Sequence, residues 1–276
     1  MDQHDMTNFS SLDELKKKLT VTDEVCEKHN VNLTSAFGRP AVCMLCVKED
    51  VAKKEKELIE QQLKKHEKRN SYDWLEKHSI FLDDTLKNAT FDNYKTDCKE
   101  TKDNQELALM IAREYFKGAD YNTILTGTPG TGKSHLSMSM LKIVNEHSDP
   151  YRRCLFISIS ELMRRIKDSF SNRESIYTEQ NMVEMMTKAD LLVIDDLGAE
   201  TGAISSDKIA TDFTTRVLYA IIDGRMNKPT IITTNLNSRE LARMYDQKLI
   251  SRLFRGADGH VIQFKNTTDK RISVEF

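Results

Sequence analysis

The run GTPGTGKS (127–134) fits the pattern G-x-x-x-x-G-K-[ST]. Glycines at these positions let backbone N–H groups curl inward around phosphate oxygens. Lys133 then sets an ammonium against the β- and γ-phosphates of a nucleotide, and Ser134 offers a hydroxyl to Mg²⁺. Gly127, Thr128, Pro129, Gly130, Thr131 and Gly132 form the rest of the cradle, and the helix that starts there adds the positive end of its dipole. A second element, LLVIDD (191–196), carries Asp195 at the end of four apolar residues, placed to share the Mg²⁺ with Ser134. Asp196 follows, where many such ATPases use the longer glutamate to polarise water; an aspartate can still act as the base, and Glu200 is a candidate substitute. Asn235, closing TIITTN (230–235), can orient that water, although a turn-forming asparagine is the plainer reading. KLISRLFRG (248–256) sets Arg252 and Arg255 three apart on one helical face. Lys270 and Arg271 are candidates for a second phosphate sensor.

A different chemistry precedes this one. Cys26-x₂-His29-x₁₃-Cys43-x₂-Cys46 gives two ligand pairs at knuckle spacing. Three thiolates and one imidazole suit tetrahedral Zn²⁺ with no open position, hence a structural and not a catalytic metal. A segment of some 45 residues builds little apolar core, and zinc-coupled folding supplies what is missing. GRP (38–40) is turn chemistry that brings CMLC round to the first pair. The alternative is three free thiols and a surface histidine. Cys98 and Cys154 read as lone residues.

These groups must be held by regular elements. Five short apolar runs, TILT (123–126), CLFISIS (154–160), DLLVIDD (190–196), TIITTN (230–235) and HVIQF (260–264), alternate with helical patterns. That alternation predicts an α/β fold with a doubly wound, parallel, five-stranded sheet. QELALMIAREYF (105–116) is a core-facing helix. One strand lies in sequence between the phosphate-loop strand and the Asp195 strand, as in AAA+ and RecA-like ATPases. NKPT (227–230) lacks the aspartate of a guanine reader, so ATP is the expected nucleotide. In this class an arginine placed like Arg252 reaches the ATP of a neighbouring subunit; a solvated surface pair is the other reading.

Three regions are expected: 1–46, the zinc module; 47–90, a charged helical linker; and 91–276, the ATPase domain. The linker, VKEDVAKKEKELIEQQLKKHEKRNSYDWLEKH, has both charge signs, no Gly or Pro and a thin apolar stripe, and reads as a solvated helix before a partner-binding one. The 41 basic and 43 acidic side chains of the 276-residue chain nearly cancel, so nucleic-acid binding can rest only on a local patch. No apolar run approaches a membrane span, and the N-terminus lacks the order of a signal peptide, which predicts a cytoplasmic protein with reduced cysteines.

From about Phe91 onward the chain resembles the DnaC/DnaI-type replicative helicase loaders. The resemblance rests on FDNYKTD (91–97), LTGTPGTGKSHLSMSML (125–141), LMRRIKDSF (162–170), ADLLVIDDLGAET (189–201), KPTIITTNL (228–236) and LISRLFRG (249–256). It implies an AAA+ domain with a reduced or missing helical lid. It also implies self-assembly into a ring or spiral and loading of a hexameric replicative helicase onto single-stranded DNA in a bacterial or phage-infected cell. Lys133 and Ser134 match the nucleotide and Mg²⁺ positions, Asp195 and Asp196 the acidic pair, Asn235 the first sensor and Arg252 the arginine finger. Phe170 falls where the family has an aromatic contacting single-stranded DNA. Arg164, Arg165 and Lys167 then track phosphates while Phe170 stacks on a base; equally, they form a basic amphipathic helix with Phe170 at its packed end. The DnaI branch has a zinc-binding N-terminal domain that contacts the helicase, which is the role expected of Cys26, His29, Cys43 and Cys46. Two other functions stay open: a transposition-helper ATPase of the IstB type, and a nucleotide-gated adaptor that scarcely hydrolyses ATP.

Overall fold

The structure, a computed structural model, describes residues 19–36, 38–172, 174–201 and 209–270. The chain divides into two compact units, Met1–His66 and Glu67–Phe276.

In the first unit β1 (Leu19–Val25) pairs antiparallel with β2 (Asn32–Ala36). The turn between them closes through Cys26 N–H to Val31 O (2.9 Å) and Asn30 N–H to Cys26 O (2.8 Å), with Asn30 in the left-handed region. The GRP turn then forms, Arg39 N–H donating to Ala36 O at 3.0 Å. An isolated bridge pairs Thr34 with Val42 and delivers Cys43 beside the hairpin. Among the described apolar residues of this unit only Cys43 is buried; Val21, Val25 and Val42 are exposed. The cysteine cluster thus sits where a hydrophobic core would otherwise be.

Helix α1 (Met44–His78) begins between Cys43 and Cys46 and carries the charged segment. Leu58, Ile59 and Leu63 are all more than half exposed, as a solvated stripe requires. The division between the two units falls inside this helix, and its last turns belong to the second unit. Leu75, Ile80 and Ala89, all ahead of the expected boundary at residue 91, are buried in the core of that unit. Ile80 explains why. Its N–H donates to Phe156 O and its carbonyl accepts from Ser158 N–H, both at 2.8 Å. The segment thereby covers an edge strand that would otherwise expose unpaired backbone groups.

The second unit is the α/β fold that the alternation of runs predicts. After α2 (Lys99–Lys117) come β3 (Thr123–Gly127), α3 (Lys133–His147), β4 (Cys154–Ser158), α4 (Ile159–Ser169), α5 (Glu179–Lys188) and β5 (Leu191–Leu197). Then follow α6 (Asp212–Asp223), β6 (Thr230–Thr234), α7 (Ser238–Met244), α8 (Gln247–Leu253) and β7 (Val261–Phe264). The five strands are parallel in the order β4-β5-β6-β3-β7. Alternate strand residues feed two cores. Leu192 and Ile194 pack with α4 to α8 on one face; Leu191 and Val193 pack with α2 and α3 on the other. Burial on both faces is why CLFI of β4 and LLVI of β5 read as unbroken apolar runs. Among the described residues no helix follows β7.

This order places β6, not β4, between the phosphate-loop strand and the Asp195 strand. The carboxyl ends of β3, β5 and β6 therefore meet at one edge, where open α/β sheets bind ligands.

Candidate nucleotide and metal sites

At that edge lies a cleft of about 480 Å³ lined by Gly130, Gly132, Lys133, Ser134, Asp195, Asp196 and Asn235. Two glycines shape the loop by what they lack. A Cβ on Gly127 (φ +145°) would stand 2.4 Å from Phe264 O, and one on Gly132 (φ +97°) 2.8 Å from the Tyr94 ring. The ammonium of Lys133 donates to Gly127 O (2.8 Å) and Thr128 O (2.7 Å), which holds it at the mouth of its own loop. Gly132 is the N-cap of α3, so the first N–H groups of that helix face the cleft.

The acidic pair is positioned by a residue that motif reading passes over. Between Ile194 and Leu197 the β5/β6 register slips, and Asp196 takes φ +58°. Thr233 of β6 holds this bulge. Its hydroxyl donates to Asp195 Oδ1 at 2.7 Å and accepts from Asp196 N–H at 2.8 Å. Asn235 Nδ2 donates to Asp196 Oδ1 at 2.8 Å. Burial raises the Asp195 carboxyl above its ordinary range, opposed by the hydroxyls of Thr233 and Ser134. A divalent cation offsets that cost, and the donor set fits Mg²⁺: a hard carboxylate and a hydroxyl, with room left for water. Ser134 and Asp195 would hold it.

Glu200, the substitute base, is occupied otherwise. One oxygen accepts from Gly198 N–H (2.8 Å) and the other from the Tyr245 hydroxyl. Burial raises its pKa as well. It ties the loop after β5 to the end of α7 and is not among the residues lining the cleft.

Arg252 also lies outside the cleft lining. Its guanidinium pairs with Asp223 Oδ1 (3.0 Å) and stacks over Tyr219 (4.5 Å), while its Nε is buried with no partner. Arg255 is tied to Asp120 and to Lys228 O. Lys270 does reach the cleft. Its ammonium lies over the Tyr94 ring (4.6 Å), pairs with Asp97 (3.3 Å) and donates to Lys95 O. Arg271 lies outside the described residues.

On α4 the two arginines are satisfied locally. Arg164 reaches Glu161 and Asp168; Arg165 reaches Glu161 and the Tyr177 hydroxyl. Lys167 is exposed. Phe170, 66 % exposed, is not a packed helix end. It meets Phe213 of α6 edge to face at 5.7 Å, and Arg216 lies over the Phe213 ring at 5.4 Å. Phe213 could not be found from spacing, because α6 brings it to Phe170 across more than 40 residues.

The Cys/His set closes on itself. His29 Nδ1 lies 3.8, 3.5 and 3.3 Å from the sulfurs of Cys26, Cys43 and Cys46, and Cys26 and Cys46 are 3.7 Å apart. All four donor atoms fall within 4.8 Å of one another. With Zn–S near 2.3 Å, tetrahedral coordination asks for donor separations of about 3.5–3.8 Å. The donor set thus fits zinc. His29 Nε2 meets Glu49 Oε1 at 3.0 Å, the outer carboxylate that fixes the tautomer of a metal-binding histidine. Hydrogen bonds from His29 draw the Cys26 thiol down to about 6, toward the ligating thiolate. Glu49 sits three residues after Cys46 on α1, a spacing that carries no motif.

The comparisons agree with this geometry. The replicative helicase loader DnaC of Escherichia coli (strain K12) is 30% identical over 171 residues, 60% of this chain and 63% of that protein. The chain therefore spans under two thirds of the length of that curated relative. A crystal structure of the DnaC helicase loader superposes with TM-score 0.51 at 22% identity, over 66% of this chain and 100% of the other. One of DnaI does so with TM-score 0.53 at 21% identity, over 68% and 97%. These two show the fold, an α/β P-loop ATPase. A family model described as IstB-like ATP binding protein matches residues 47–268, most of the chain. The protein is accordingly a member of the IstB-like ATP binding family, with a DnaC-like AAA+ domain.

Proposed function

We propose that this protein is an ATP-switched loader that grips a hexameric replicative helicase and helps place it on single-stranded DNA in the cytoplasm. The observation that carries this reading is the 30% identity to a replicative helicase loader over 171 residues. Bound ATP with Mg²⁺ supplies the phosphoanhydride to be cleaved. Lys133 and the loop N–H groups hold its phosphates. Asp196, its carboxylate oriented by Asn235, accepts a proton from water. Arg252 completes the site of a neighbouring copy, which requires it to leave Asp223 and Tyr219. Phe170 and Phe213 form a two-ring platform on which bases stack, with Lys167 beside it. The zinc-folded N-terminal unit contacts the helicase.

The family description favours a second reading, a transposition helper of the IstB type. Asp196, one methylene shorter than glutamate, supports a third, an adaptor gated by ATP binding with little turnover. A pull-down with the full chain from its native or infected host, probed for hexameric helicase and for transposase, separates the first two. Retention of helicase, lost in the Cys43→Ser/Cys46→Ser double variant and kept in Lys133→Ala, is expected. Retention of transposase without helicase would sink the loader reading. ATP turnover below a few per hour, with nucleotide-dependent helicase binding, would select the adaptor.

A further inference from the structure

Asp196 stands in the left-handed region (φ +58°), and two residues later Gly198 takes φ +107°. A non-glycine residue keeps such a backbone only where its surroundings over-determine it. Across the sheet, Thr233 and Asn235 hold Asp196 itself. The chain that follows is fixed by a separate set of contacts. Leu197 O accepts from the Thr234 hydroxyl at 2.7 Å, and Gly198 O accepts from the N–H and hydroxyl of Thr201 at 3.3 and 2.9 Å. Gly198 is buried, so its own N–H needs an acceptor. It finds Glu200 Oε2 at 2.8 Å.

A carboxylate on a short loop is only as well placed as whatever holds it. Glu200 is held by Tyr245, whose hydroxyl donates to Oε1. Tyr245 is 4 % exposed and closes α7, its N–H bonded to Leu241 O at 3.0 Å; the next residue, Asp246, caps α8. Met244 and Leu249 on either side are buried in the core, so this corner is rigid ground. Burial raises the Tyr245 pKa, which leaves the hydroxyl neutral and a donor. Burial raises the Glu200 pKa as well, opposed by the Tyr245 hydroxyl and the Gly198 N–H. Each Glu200 oxygen thus accepts one bond, one from the core and one from the loop. Neither Glu200 nor Tyr245 lines the cleft.

We propose that Tyr245 and Glu200 are positioning residues for the water-side carboxylate: Tyr245 anchors Glu200, Glu200 holds the Gly198 N–H, and the bulge that aims Asp196 is fixed from its downstream end. Glu200 braces the base and is not the base itself, although it is the carboxylate that the sequence offers as a substitute. This inference rests on the proposed ATP site, with Asp196 taking the proton from water. Tyr245 follows Glu200 by 45 residues and belongs to no motif, so spacing gives no sign of it.

The test uses the full chain with Mg²⁺ and measures ATP affinity, phosphate release, and affinity for ADP with aluminium fluoride. The last mimics the phosphoryl group under attack and needs no turnover. Tyr245→Phe keeps the ring and removes the hydroxyl. It should lower the rate and the aluminium fluoride affinity roughly tenfold, the value of one hydrogen bond, with ATP affinity within about twofold of wild type. A residue that only supports the fold would not split the measurements in this way. Glu200→Gln still offers an oxygen to the Gly198 N–H and an amide N–H to the Tyr245 oxygen, so it should stay within about threefold of wild type. Glu200→Ala should lose at least as much as Tyr245→Phe, and the double variant no more than Glu200→Ala alone, because the two groups act in series. Wild-type rate and aluminium fluoride affinity in Tyr245→Phe would overturn the proposal. So would a loss in Glu200→Gln as deep as in Glu200→Ala, which would make the charge of Glu200 the active feature. If Asp196→Asn turns over like wild type, the proposed base is misassigned; a slow Asp196→Asn beside an unaffected Tyr245→Phe defeats the positioning role alone.

Discussion

Thr233 is one hydroxyl that serves both carboxylates of the proposed catalytic pair. It donates to Asp195 and accepts from the N–H of Asp196, and so fixes the proposed metal ligand and the bulge that would aim the proposed water-side carboxylate. Thr233→Val has nearly the same shape and keeps the strand. It leaves the Asp196 N–H without its acceptor, a cost of about 1–3 kcal/mol. Turnover should fall roughly tenfold or more while ATP affinity changes little, because the group acts on geometry reached in the transition state. Thr233→Ser should restore most of the rate. Phosphate release beside nucleotide titration checks it, and equal losses in affinity and rate would contradict it. The contrast between Asp195 and Thr233 shows what one sequence exposes. Asp195 announces itself by charge at the end of an apolar run. Thr233 looks like strand filler, and its role depends on a register slip between β5 and β6 that no local pattern encodes. Arg164 and Arg165 illustrate the converse: their charge is visible in sequence, but Glu161, which consumes it, matters only once the helix sets the two within reach.

At the scale of elements, that clamp gives α4 a pH dependence. Arg164 first, and Arg165 with it, hold the Glu161 carboxyl down to about 2, against an ordinary value of 4.5. The folded-state pKa is depressed, so the stabilisation is fully present above pH 4.5 and is lost as pH falls from there toward 2. Arg164 is 62 % exposed, which limits the contribution to about 1 kcal/mol. Glu161→Gln should destabilise the protein by about that amount at pH 7 and by less at pH 3, as denaturant midpoints at the two values would reveal. A penalty independent of pH would contradict it. The five parallel strands were legible within a residue or two because each carries a short, mostly buried run rich in aliphatic and β-branched residues between helical patterns. The β1–β2 hairpin was not. LTVTDEV is almost wholly exposed and has no core to imprint alternation on it, so its pairing rests on backbone hydrogen bonds. Nor did composition mark Ile80 as an addition to the edge of the sheet, since one bridge of two hydrogen bonds leaves no period to read.

For the whole molecule, the two units draw stability from different sources. Glu67–Phe276 has two apolar cores, one on each face of its sheet. Met1–His66 has, among its described residues, a single buried apolar side chain, and that side chain is the proposed ligand Cys43. A metal held by its four donors would contribute the folding free energy that a core would otherwise supply. The full chain should therefore carry about one zinc per chain. Cys43→Ser should bring this close to zero, and a strong chelator should do the same to the wild type. In both cases hydrogen exchange should rise across 19–46, while the sheet of the second unit keeps its protection. ATP affinity should stay within about twofold of wild type, because none of the cleft residues, among the described residues, belongs to the first unit. Glu49→Gln gives the graded version. It keeps all four proposed ligands and removes the carboxylate charge that faces His29 Nε2, so zinc affinity should drop roughly 10- to 100-fold without loss of stoichiometry at saturating metal. Loss of ATP binding together with zinc would mean that the cleft depends on the metal-held unit, and the separation of the two would fail.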